Sequence, residues 1–171
     1  MERRSIETIV GSLNQAGVRY LVVGGLAVVA HGFVRFTADI DLVLDPDPSA
    51  MRRAIAALTA LGYRPRAPVP FEEFADPEKR RTWAREKSLT VFSVFSSQHP
   101  ATEIDLFVET PFDFERAYAE ADRFEVASGV EATFVGREDL IAMKRKAGRP
   151  QDLQDVAELE TYPGPTGERD A

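Results

Sequence analysis

The 171-residue sequence contains no cysteine. Its absence excludes disulfides and thiolate metal sites, and it suits a reducing compartment. Histidine is nearly as scarce, with His31 and His99 the only two. They lack metal-ligand spacing, and no motif supports Ser-His-Asp catalysis. No window approaches the ~18 consecutive apolar residues of a membrane span, so no membrane partner is expected. Met1-Glu-Arg-Arg-Ser5 runs straight into helical periodicity rather than into an apolar signal segment, and the expected location is cytoplasmic. Positive charge is not in excess either. Lys and Arg number 21 against 28 Asp and Glu, a formal net charge of −7. That balance argues against broad electrostatic coating of nucleic acid, while leaving room for a local basic strip. Acids gathered around divalent cations would lower the formal charge yet be neutralised in use.

What is present describes an ordinary globular chain, 44% apolar and 29% charged. Its length suits one main domain with a real core. Ile6, Ile9, Val10 and Leu13 follow helical spacing, so residues 3–16 read as an amphipathic helix stopped at Gly17. Tyr20–Val23 reads as a buried strand, and Gly24-Gly25 as a turn into a helix over Leu26–His31. Residues 39–44 alternate as a strand, and Ser49–Leu61 follows as a helix. Residues 62–76 read as irregular apart from a strand near Tyr63–Arg66. A charged helix is expected over Pro77–Lys87, with strands over Leu89–Phe95 and Glu103–Val108. Further on come a helix over Phe112–Ala121 and a hairpin of Phe124–Val126 with Val130–Phe134. Two closing helices, Arg137–Ala147 and Pro150–Tyr162, are broken at Gly148. The mixture predicts α/β or α+β architecture, a mixed central sheet flanked by helices. Residues 1–135 form the expected core and 136–162 a C-terminal helical segment packed on it. Residues 163–171, rich in Pro and Gly, read as a disordered tail.

Two acids stand out in the apolar segment "DIDLVL". Asp39 and Asp41 are two apart on a strand, so both side chains share one face. Like charges that close disfavour each other unless a cation lies between them. Oxygen-only ligation suits Mg²⁺, which binds through one or two carboxylates plus substrate phosphates. A third acid, Asp105, sits in the alternating strand "TEIDLFV". If the two strands are neighbours, the three aspartates converge and can hold two metals ~3.5–4 Å apart for phosphoryl chemistry. Upstream, a Gly-Gly turn lets backbone approach a ligand closely, and the helix after it presents unpaired N–H groups to phosphate. That order, anion-binding amides and then metal-binding acids, fits a bound nucleoside triphosphate.

The stretch "GG…RFTADIDLVL" resembles the signature of the nucleotidyltransferase fold shared with DNA polymerase β. The late segment "GREDLIAMKRKAGRPQDLQDVAEL" is similar to the C-terminal helices of AbiEii-like, type IV toxin-type bacterial nucleotidyltransferases. The likeness spans roughly residues 18–160 in outline. It implies metal ligation by Asp39, Asp41 and Asp105, with Asp105 placed to activate the attacking hydroxyl. Gly24 and Gly25 would meet the triphosphate of ATP or another NTP. Lys144 matches the lysine expected near the phosphates, and Asp152 and Asp155 match the helix acids. Gln151 departs from the pattern, standing where those relatives often carry lysine. The implied cofactor is Mg²⁺, two ions, with Mn²⁺ as a substitute. The implied acceptor is an RNA end such as tRNA, or a protein, and a cognate antitoxin is the partner of a toxin-type member. The alternative is a catalytically silent module of the same fold that binds nucleotide or a partner protein.

Several residues carry two readings. Arg35 and Thr37 either meet triphosphate oxygens or form a surface pair in a loop. Glu103 shares a face with Asp105 and either opens its strand or serves as a fourth ligand. Asp152 and Asp155 either act at the site or only charge the first turn of their helix, the plainer reading being preferred for Asp155. The run "EKRRTWAREK" either seats an RNA backbone with Trp83 for stacking or is an exposed helix pinned to the core by Trp83. The second is preferred.

Overall fold

In the computed structural model, which describes residues 2–161, seven strands form one mixed sheet in the order β3-β4-β5-β2-β1-β7-β6. The chain runs α1 (Arg3–Gln15), β1 (Tyr20–Val23), α2 (Gly24–Ala30), β2 (Asp39–Leu44), α3 (Pro48–Ala60) and β3 (Arg64–Pro65). A 3₁₀ turn (Phe71–Ala75) leads to α4 (Pro77–Lys87), β4 (Val91–Phe95), β5 (Glu103–Phe107) and α5 (Phe114–Ala119). The hairpin β6 (Asp122–Ala127) and β7 (Val130–Phe134) precedes α6 (Arg137–Ala147) and α7 (Pro150–Thr161). β2 pairs parallel with β5 and β1 parallel with β7, while the remaining pairs are antiparallel. The expected mixed sheet flanked by helices is therefore what the chain forms. The expected disordered tail lies outside the described residues.

Alternation divides the central strands into a core side and an open side. Ile40, Leu42, Phe92, Val94, Ile104 and Leu106 are buried, whereas Asp39, Asp41, Ser93, Phe95, Glu103 and Asp105 between them are half-buried. Phe92 on the core side meets Phe74 at 5.1 Å and Trp83 at 5.4 Å between ring centroids. So the 3₁₀ turn and α4 close the core beneath β4, and an aromatic cluster seals it. Leu140 of α6 and Leu159 of α7 belong to the same buried cluster as the central strands.

Helix starts differ from their expected places for identifiable reasons. α2 begins at Gly24 itself, because the chain passes from strand to helix without a connecting residue. α3 is capped by Asp47, whose carboxylate accepts from Ala50 N at 2.9 Å, so Pro48 rather than Ser49 opens it. The same Asp-Pro device starts α4, where Asp76 Oδ1 accepts from Glu78 N and Lys79 N. Asp76→Ala should cost about 1 kcal/mol. A urea titration should show a lower midpoint with an unchanged slope. An unchanged midpoint would mean that the cap contributes nothing.

The basic run on α4 does not seat RNA through its aromatic residue. Trp83 is only 7% exposed and stacks on Phe92, so its ring is not free to stack on a base. Arg80 is buried as well and donates to the carbonyl of Phe74. Both histidines have structural partners: His31 Nε2 lies 3.0 Å from the Val135 carbonyl, and His99 Nδ1 bonds with Ser5 Oγ at 2.9 Å. Among the described residues no helix is long and apolar enough to cross a membrane.

Candidate active site

β2 and β5 run in a register that sets Asp41 opposite Asp105 and Asp39 opposite Glu103. All four acids therefore lie on the open side of the sheet. Asp105 is held by its cross-strand neighbour on β4, Ser93, whose Oγ donates to Asp105 Oδ1 at 2.5 Å. Asp41 stands opposite Val23, the last residue of β1, so the next residue, Gly24, lies against its carboxylate. A Cβ at Gly24 would come 2.0 Å from Asp41 Oδ2, and Gly24 has φ +64°. A Cβ at Gly25 would meet Thr37 Oγ1 at 2.8 Å and Arg35 Cζ at 3.6 Å. The pair is glycine because other side chains already fill the space a Cβ would take.

The charges on this side are crowded. The Asp41 carboxyl is pushed up to about 6 by burial and then by Asp105 and Asp39, against a smaller opposing effect of Lys144 and Arg149. Asp39 is also raised, by burial and then by Asp105. Such a cluster of hard oxygens, in which Asp105 opposes ionisation of both Asp39 and Asp41, has the donor chemistry of a divalent-cation site. Among the described residues no set of three or more His, Asp or Glu is already arranged to hold a metal. Ser93 engages Asp105, Asp41 packs on Gly24, and the like charges repel.

A cationic network borders the glycine end. Lys144 on α6 is buried, with Nζ 2.7 Å from Asp155 Oδ2 and 3.2 Å from Asp152 Oδ1. Arg35, in the loop before β2, pairs with Asp155, and Arg149 Nε donates to Asp152 Oδ2 at 2.6 Å. Gly148 makes this possible: its φ of +65° ends α6 and lets α7 fold back so that Asp152 and Asp155 face Lys144. Burial works against ionisation of Asp152, but hydrogen bonds from Arg149 and Lys144 outweigh it and hold the carboxyl below its ordinary range. Asp155 is buried and ion-paired, so the plainer expectation of a helix-end charge does not describe it. Arg35 and Thr37 are half-buried against Gly25, and Thr37 Oγ1 donates to the Asp39 carbonyl.

Comparison with known proteins decides the family. The family model described as a nucleotidyltransferase of unknown function (DUF6036) matches residues 5–162. The chain belongs to this nucleotidyltransferase family. No curated protein matches it. Among solved structures, the antibiotic-resistance factor ANT(2″)-Ia in solution aligns with a TM-score of 0.59 and 15% identity, covering 93% of this chain and 82% of that one. ANT(2″)-Ia in complex with adenylyl-2″-tobramycin gives 0.57 and 14%, covering 93% and 87%. The lincosamide antibiotic adenylyltransferase LnuA, bound to lincomycin, gives 0.56 and 14%, covering 86% and 89%. At these identities the likeness establishes the shared fold.

In this nucleotidyltransferase the sequence pattern points to three carboxylates, the glycine pair and Lys144, and the structure brings these to one side of the sheet. Ser93 is missing from that pattern, because its place beside Asp105 depends on the β4–β5 register. The partnership of Asp155 with Lys144 does leave a signal: Asp152 and Asp155 are three apart, hence on one helical face. Gly24→Ala should force the Asp41 carboxylate aside and strain the backbone. We expect nucleotidyl transfer to fall on the order of 100-fold, as positioning errors near ~1 Å do. An initial-rate assay that shows wild-type turnover would contradict the close approach.

Proposed function

We propose that this chain transfers a nucleoside monophosphate from an NTP to an acceptor hydroxyl, releasing pyrophosphate. The observation that carries the reading is Asp41 standing in register with Asp105 while its carboxylate lies against Gly24. The acceptor oxygen bonds to the α-phosphorus, the bond from that phosphorus to the bridging oxygen breaks, and pyrophosphate leaves. Asp105 takes the acceptor's proton, and Ser93 holds it in place. The amides of Gly24 and Gly25, with Arg35 and Thr37 beside them, face the triphosphate. Lys144, oriented by Asp152 and Asp155, adds positive potential near Asp41. Asp39, Asp41 and Asp105 would hold Mg²⁺, or Mn²⁺ in its place, which supplies charge neutralisation at the reacting phosphate.

Three acceptor classes fit the reaction: an RNA end such as tRNA, a protein hydroxyl and a small molecule. The names of the structural neighbours, with their lincosamide and tobramycin substrates and adenylyl transfer, support a small molecule and ATP. The toxin-type role and its antitoxin draw support only from the lysine–aspartate pattern of α6 and α7.

The test is incubation with α-labelled NTPs, Mg²⁺ and total cell lysate, followed by separation of RNA, protein and small molecules. Label that appears in one fraction and is lost with Asp41→Ala supports the reading. Labelled product formed equally by Asp41→Ala ends it. NTP binding in calorimetry without Mg²⁺ dependence or turnover would favour the silent module.

A further inference from the structure

The open side of the sheet does not end at the aspartates. Beyond Asp39 and Glu103 it continues over Phe95 of β4 to Arg64 and Arg66 at the sheet edge. A cavity of about 390 Å³ lies there, with Asp39, Glu103, Phe95 and Arg66 in its wall. This is within the range of pockets that hold small molecules. Asp39 thus faces two ways, bordering both the carboxylate cluster and the cavity. The cationic groups near the triphosphate, Lys144 and Arg149, act on Asp41. The cavity therefore opens from the other end of the Asp-x-Asp pair, away from those cations.

The cavity's polar groups describe what it takes. Glu103 forms an ion pair with Arg66 through its Oε1. A carboxylate has about four acceptor sites and a guanidinium five donors, so the ion pair leaves both groups able to bond a ligand. Arg66 and Arg64 lie over the Phe95 ring at 4.9 and 4.8 Å, so the guanidinium beside Glu103 is held against an aromatic wall. A carboxylate and a guanidinium side by side complement neighbouring hydroxyls, each of which donates to one and accepts from the other. An anionic ligand would bring its charge against Asp39 and Glu103, and a cationic one against Arg66 in the same wall.

We propose that this cavity seats the acceptor, that Glu103 and Arg66 select it, and that it is a small uncharged polyol such as a sugar. The proposal rests on the transferase reading above and names its acceptor class. The test is backbone-amide NMR of the full chain, titrated in two separate arms. In the first, a non-hydrolysable ATP analogue with Mg²⁺ should shift the amides of Gly24, Gly25 and Asp41; no shift there defeats the transferase reading. In the second, a mixture of neutral mono- and disaccharides should shift Phe95, Ser96 and Glu103 amides. Glu103→Gln and Arg66→Met, each with a dispersed spectrum, should weaken that response about tenfold or more. The acceptor proposal is overturned if the sugars shift nothing, if the variants respond as wild type does, or if only sugar phosphates or a short RNA bind there.

Discussion

Lys144→Met is expected to destabilise the protein by about 3 kcal/mol, the low end of what breaking a buried ion pair costs. The ammonium lies between two carboxylates that are each 2% exposed at the side chain. Methionine fills the same channel but leaves both oxygens without their shared partner. The cost stays at the low end because Asp152 keeps Arg149 and Asp155 keeps Arg35. Urea denaturation of both proteins measures it, with the slope checked for two-state behaviour. Stability within roughly 0.5 kcal/mol of wild type, the range of a surface substitution, would mean that the network is not holding α6 to α7.

Asp41→Asn should have the largest effect on activity, and an opposite effect on stability. Loss of a metal-binding carboxylate should lower transfer on the order of 1,000-fold or more, since charge stabilisation at the phosphate is the main catalytic contribution. In the metal-free protein the same change should be stabilising. The folded-state value of Asp41 is raised from 3.8 to about 6. Stability is then fully present below pH ~4, where the carboxyl is protonated in both states, and is lost as pH rises through ~6. Above that range the ionised carboxylate costs the fold on the order of 2–3 kcal/mol. Asn removes the charge and keeps the shape against Gly24. Thermal melts without divalent ions should therefore place the variant above wild type at about pH 7.5 and level with it near pH ~4. A variant that melts lower at the higher pH would contradict the crowding of like charges. Added Mg²⁺ should raise wild type and leave the variant less affected.

The legibility of this chain follows where its information is local. Asp39 and Asp41 announce themselves because two charges in an apolar alternation have no packing reason, whereas Ser49, the expected start of α3, yields to Pro48 capped by Asp47. The open side of the sheet is half legible. Alternation assigns Asp105 and Glu103 to one face, but only the parallel register sets them opposite Asp41 and Asp39. Ser93 and Arg66 are illegible because their roles depend on strands paired across the sheet. Trp83 shows the reverse case. The preferred reading, an exposed helix pinned to the core by Trp83, is what forms, but the 3₁₀ turn with Phe71 and Phe74 that completes its aromatic pocket is hidden in a proline-rich stretch. Asp155 is easy to undervalue because a carboxylate in a first helical turn has a sufficient local explanation, and its long-range partner Arg35 plays no part in that explanation.

The most direct test of the central idea is a crystal structure with a non-hydrolysable NTP analogue and Mn²⁺, located by anomalous scattering. Manganese peaks bounded by Asp39, Asp41 and Asp105, with the α-phosphate between them and the glycine amides, are the predicted result. Nucleotide bound elsewhere, or metal that avoids Asp105, would contradict the account.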